Sequence, residues 1–199
     1  MVRRAFIQKK VLGLYRELEK ISYPIEPQDL IPLLHIDSRM ASYKDTARDI
    51  GATTDEIARL CGSNTGATHY DTQNQRCLIL YNDDNSRRAL WTQCHEIGHI
   101  VLGHVELIDK MAGHENRPEY RDYEEEADYF AWNILAPLPV MKELKIKDAE
   151  EAYRVFGLSA MAAGIQFERF QRWMEEHRKT AWENDIVKVY KEKSVPAVV

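Results

Sequence analysis

The chain has 199 residues, 44% of them hydrophobic and 30% charged, with a formal net charge of -5. That composition suits one globular domain, or a domain with a small appendage, large enough to bury a core without disulfides. It excludes a membrane-spanning helix, which needs about 20 consecutive apolar residues, and a global positive field for holding nucleic acid.

The basic start, Met1 to Lys10, has no long apolar stretch behind it, which argues against a secretory signal. Cys61, Cys77 and Cys94 are odd in number and show no paired spacing, as expected of free thiols in a reducing cytosol. The expected location is cytoplasmic.

Apolar residues at Ile7, Val11, Leu14, Tyr15 and Leu18 predict a helix over about 4–20, broken by Pro24 and Pro27. A second helix is expected from Pro27 through Leu34, and a third over Thr54 to Leu60 with Thr53 or Thr54 as cap. Residues 67–70 and 76–81 read as a hairpin turning at Asp71 to Gln75. The continuous apolar run Cys77 to Tyr81 suggests a strand covered on both faces. A strong helix follows from Ser86 or Arg87 to Leu102. Gly103, Gly113 and Pro118 then mark an irregular connection before a helix over about Tyr120 to Leu135. Residues 148–188 read as helices with a break at Gly157–Leu158–Ser159, and the tail from Ser194 reads as frayed.

The helix after the hairpin contains His95-Glu96-Ile97-Gly98-His99, the H-E-x-x-H pattern. Residues four apart lie about 40° apart on the helical wheel, so two imidazoles converge on one ion. Glu96 lies about 100° from His95, near enough to serve as a base without being a ligand. Imidazole and carboxylate donors suit Zn²⁺. Leu90, Cys94, Ile97 and Val101 form the apolar stripe, and His95, Glu96 and His99 fall outside it; the competing reading is a solvated polar face.

A third ligand is needed. His104 follows His95 by nine residues, about 180° around a continuing helix, and reads instead as a polar residue near a helix end. On the later helix the apolar stripe is Ala127, Phe130, Ala131, Ile134 and Leu135. Glu124 lies about 50° from its centre, Glu126 about 110° and Glu125 about 150°. Glu124 is therefore the expected metal ligand, with Glu125 and Glu126 in a solvated acidic run. Asp128, one turn beyond Glu124, can accept the free ring N–H of a ligand histidine.

These stretches resemble the ImmA/IrrE metallopeptidases. Leu90 to His104 looks like that family's zinc helix, and Glu124 to Pro137 like its second signature; the Cys77 to Asn82 strand and the Phe156 to Ser159 turn fit as well. The resemblance covers about residues 65–172, and residues 36–64 read as a possible insertion. It implies an α+β fold, mostly helical, with a zincin-like metallopeptidase core and a small β-sheet before the zinc helix. The expected organisation is an N-terminal helical region (1–64), a core (65–140) and a C-terminal helical region packed on it (141–199). The resemblance further implies an intracellular zinc-dependent endopeptidase cleaving a transcriptional repressor, thereby releasing mobile-element or stress genes. It carries over His95, His99 and Glu124 as zinc ligands and Glu96 as catalytic base. Asp128 stands where asparagine is commoner in the family.

The break at residues 157–159 could suggest a helix-turn-helix, but Ser159 to Ile165 offers no basic or amide side chain to read bases, so core packing is expected. No direct nucleic-acid or membrane partner is expected. The strand before the zinc helix is a candidate edge for aligning an extended substrate. Two other readings share these residues: a regulatory protein that sequesters a repressor around a structural zinc site, and a zinc hydrolase of a small amide.

Overall fold

The computed structural model describes residues 1–109, 118–176 and 180–195. The protein is mostly helical, with one three-stranded sheet, an α+β fold. No helix among the described residues is long and apolar enough to cross a membrane.

Helix α1 (Arg4–Glu17) buries Ile7, Val11, Leu14 and Tyr15, the expected stripe. Helix α2 (Pro27–Leu30) stops short of Leu34, because Pro32 lacks an N–H and the chain tightens into a 3₁₀ turn at Ile31–Leu33. Strand β1 (Asp37–Ser42) and helix α3 (Tyr43–Ile50) follow, both unanticipated. Helix α4 (Thr54–Cys61) starts with the expected Thr53 cap, closed into a capping box by Glu56.

Strands β2 (Gly66–Asp71) and β3 (Arg76–Tyr81) form the expected antiparallel hairpin. Asp71 Oδ1 accepts from the backbone of Gln73 at 3.0 Å and of Asn74 at 3.1 Å, which turns the chain. The sheet order is β1-β3-β2, with β1 parallel to β3 in the register Ser38 to Cys77 and Met40 to Ile79. Strand β3, which precedes the H-E-x-x-H helix, is therefore central, not an edge. Both its flanks are hydrogen-bonded, so the open edge on the hairpin side belongs to β2. Cover of β3 is also uneven: Cys77 and Ile79 enter the main core, Leu80 packs under Tyr43, Ala47 and Ile57, and Leu78 is 39% exposed.

Helix α5 (Ser86–Val101) is capped by Asn85, whose side chain accepts from Arg88 N. Helix α6 (Val105–Asp109) leads toward α7 (Pro118–Leu135), and the remainder of that connection, with Gly113, lies outside the described residues. Helices α8 (Leu138–Glu143), α9 (Ala149–Phe156), α10 (Ala160–Glu176) and α11 (Ala181–Lys193) complete the fold. Helix α10 buries Ala163, Gln166 and Phe170, which spends one face on packing. The chain end is tied down as far as it is described: Ser194 bridges Ile21, and Val195 N donates to Ile21 O at 3.1 Å.

The main core joins α1, β3, α5, α7 and the C-terminal helices through Tyr15, Ile79, Ile97, Phe130, Phe156 and Ile186. Helices α5 and α7 meet closely at Gly98. A Cβ there would stand 3.0 Å from Cδ1 and 3.3 Å from Cβ of Phe130, so the missing side chain lets α7 approach α5. Gly98→Val should therefore lower stability by about 1–3 kcal/mol through overpacking. Urea denaturation measures this, and an unchanged midpoint would show that Phe130 gives way freely.

Candidate metal centre

Helix α5 turns His95, Glu96 and His99 away from the main core, as the wheel predicts, yet that face is not solvated. Strand β2, α6 and α7 close over it, leaving Glu96 at 8% and His99 at 4% exposure. The cleft they form holds about 780 Å³ and is lined by Thr68, Arg88, Trp91, Val105 and Tyr120 besides the candidate ligands.

Ligand atoms of His95, His99 and Glu124 lie within 4.8 Å of one another. His95 Nε2 is 3.0 Å from His99 Nε2 and 3.3 Å from Glu124 Oε2, and His99 Nε2 is 3.5 Å from Glu124 Oε1. Tetrahedral zinc with bonds of about 2.1 Å would set its ligand atoms about 3.4 Å apart, so these residues fit the ion. Asp128 Oδ1 is 2.9 Å from His95 Nδ1, placed to accept its proton and leave Nε2 to face the site.

Electrostatics agree with a cation site. Burial alone would lower the pKa of His95, but hydrogen bonds to Asp128 and Glu124 carry it up to about 10. In the metal-free chain a proton thus supplies positive charge at the place where the acidic groups converge. Burial, with His95 and His104 adding to it, pushes His99 well below its ordinary value, so that ring stays neutral. Glu96 is pushed up by burial, against the pull of His95 and of Thr68, whose Oγ1 donates to Glu96 Oε2 at 2.7 Å. A carboxylate raised in this way is a better proton acceptor.

One sequence reading is corrected. Glu126 is not in a solvated run: it is 2% exposed, held by Arg3 Nε at 2.9 Å and Nη2 at 2.6 Å. The wheel compared Glu126 with its own helix's apolar stripe, whereas its partner lies at the start of α1, which packs on α7. His104 lies near the end of α5, as expected, and is fully buried. Helix α5 stops at Val101, Gly103 takes φ +75°, and His104 N donates to His99 O at 2.9 Å, which folds the ring back beneath His99. His104 is not in the ligand cluster, as its spacing predicts. Thr68, Arg3 and the cleft residue Tyr120 went unnoticed, because no local spacing links them to the motif. All three cysteines are free.

The sequence model of the peptidase U49 family matches residues 45–179, more than half of the chain. The chain belongs to the peptidase U49 family. It is accordingly a peptidase, and the matched region of this U49 peptidase spans α4, the β2–β3 hairpin, α5 and α7 and so includes every residue of the ligand cluster. No curated protein matches the chain.

A pH dependence follows from Glu126. Burial would raise its pKa, but the Arg3 side chain and backbone, with His104, bring it from 4.5 to about 2. A carboxyl whose pKa is lower in the folded chain stabilises the fold above its unfolded value, and that contribution fades as pH falls toward the folded value. Acid should therefore weaken the protein progressively from about pH 4.5 toward about pH 2. Urea midpoints across that range should flatten in Glu126→Gln relative to wild type; parallel curves would show that Glu126 does not drive the loss.

Proposed function

We propose that this peptidase is a cytoplasmic zinc-dependent endopeptidase with His95, His99 and Glu124 as ligands and Glu96 as base. The observation that carries the reading is the convergence of two imidazoles and a carboxylate within 4.8 Å beside a buried, elevated glutamate. Bound there, zinc supplies Lewis acidity toward the scissile carbonyl and lowers the pKa of water.

The chain's own residues do the rest. Glu96, steadied by Thr68, takes a proton from the attacking water and hands it to the leaving amine. Asp128 keeps His95 Nδ1 engaged. Strand β2 offers the edge on which an extended peptide aligns beside Glu96, so the substrate segment must be locally unfolded. The size of the cleft, about 780 Å³, and the β2 edge beside it favour a polypeptide over a small amide. The ImmA/IrrE resemblance of the Leu90 to His104 and Glu124 to Pro137 stretches supports a transcriptional repressor as substrate, with mobile-element or stress genes under its control.

Purified protein should hold about one zinc per chain, lost in His95→Ala or His99→Ala. Glu124→Gln should weaken zinc binding far more than Glu125→Gln. Stoichiometric metal in the double histidine variant would reject the site.

Glu96→Gln separates enzyme from binder. It should retain zinc but lose on the order of 10²–10⁴ in rate. In a reporter assay for the partner repressor, the variant should leave the repressor uncut and its genes silent. Full derepression by Glu96→Gln with intact repressor would establish the sequestering role instead.

A further inference from the structure

We propose that Arg3, Glu126 and His104 form a buried positioning relay that fixes the proton of His99 on Nδ1 and so presents Nε2 to the metal site as a lone pair. The proposal rests on the reading of His95, His99 and Glu124 as ligands.

The protons can be placed in order. The Glu126 carboxylate takes Arg3 N at 2.8 Å, Arg3 Nε at 2.9 Å and Arg3 Nη2 at 2.6 Å. Held as an anion it only accepts hydrogen bonds; Arg3 Nη2 spends its closer contact on Oε2 at 2.6 Å, and a bare His104 Nε2 would face Oε2 lone pair to lone pair at 3.1 Å, so the hydrogen is assigned to His104 Nε2. Arg3 Nη2 also stands 3.3 Å from His104 Nε2, which disfavours a second positive charge on that buried ring. A neutral imidazole has one N–H, so His104 Nδ1 is an acceptor. It faces His99 Nδ1 at 3.2 Å. Two lone pairs repel, so the hydrogen between these rings belongs to His99. His99 Nε2 is then bare, and it is the nitrogen turned toward His95 and Glu124.

The arrangement parallels Asp128 on His95, but it is longer and better buried. Glu126 is 2% exposed and His104 0%, whereas the Asp128 side chain is 53% exposed. The Tyr123 ring packs on His104 with centroids 4.8 Å apart, which holds the ring in plane for both bonds. Arg3 lies outside residues 45–179, so the relay ties the start of α1 to a site otherwise built by the matched region. Arg3, Glu126 and His104 are positioning residues: they act through His99.

Two readouts on the full-length chain test this. After chelation, ring-nitrogen ¹H–¹⁵N spectra of histidine-labelled protein should show His99 as the Nδ1–H tautomer in wild type and as a mixture in His104→Phe, which offers no acceptor. Zinc and cobalt titrations should show weaker binding by about 10–100-fold in His104→Phe, the usual cost of losing a group that orients a ligand histidine. His104→Asn should bind close to wild type, because its Oδ1 stands where Nδ1 stood and still accepts. If His104→Phe does not fold, Arg3→Gln probes the relay from its half-exposed end; it leaves the Glu126 carboxylate without its cation, so the metal-free melting midpoint should fall, and below that midpoint metal binding should weaken and the His99 tautomer should become mixed. Wild-type affinity and an unchanged His99 tautomer in these variants would overturn the relay. Should wild type bind no metal at all, the ligand reading fails, and the His99 tautomer alone then decides the relay.

Discussion

The approach of α7 to α5 at Gly98 is the constraint on which the site depends. Glu124 is on α7 and both histidines are on α5, so the spacing of their donor atoms is set by the distance between two helix axes. Phe130 fills the space above Gly98 and locks that distance, since the ring touches where any Cβ would stand. Because cores resist both overpacking and voids, the helices cannot slide without losing buried area around Phe130, Ala131 and Ile134. The glycine of the H-E-x-x-H motif thus serves packing, while its histidines and glutamate face the cleft.

Around this contact the protein buries several charged or chargeable groups, which is costly unless each is paired. The pairing is systematic. Glu126 takes a guanidinium and a backbone N–H from Arg3; His104 lies between Glu126 and His99; Glu96 takes the Thr68 hydroxyl. At His95, His99 and Glu124 the two rings stand nearly perpendicular, with the carboxylate 3.3 and 3.5 Å from their Nε2 atoms. In the proposed function a cation would take the place that a His95 proton fills in the metal-free chain.

What the sequence disclosed was what short-range periodicity can carry. His95 and His99 share one helix face by their spacing, and Glu124 was legible because its angle to the α7 stripe is a property of one helix. The β2–β3 hairpin was legible from its apolar runs and the turn residues between them. Strand β1 was not: Asp37 to Ser42 contains no β-branched or aromatic residue, and its extended state comes from pairing with β3. Glu126 was misread, and the burial of His104 was not legible, for a related reason. Their surroundings are made by a chain reversal at Gly103 and by an arginine 123 residues from Glu126, neither of which appears in a helical wheel.

Strand β2 joins the two halves of the chemistry. It is an edge strand, so its outer side keeps backbone groups for an incoming peptide, and Thr68 in its middle is bonded to Glu96. A peptide added along β2 would lie within reach of Glu96, the proton acceptor of the proposed function. The same strand that would set substrate register also sets the orientation of the base. Because β2 is hydrogen-bonded to β3 along its full length, from Gly66 opposite Tyr81 to Asp71 opposite Arg76, the base inherits the rigidity of the sheet rather than the freedom of a loop. In the proposed function, that one strand would hold the base and the substrate backbone in register.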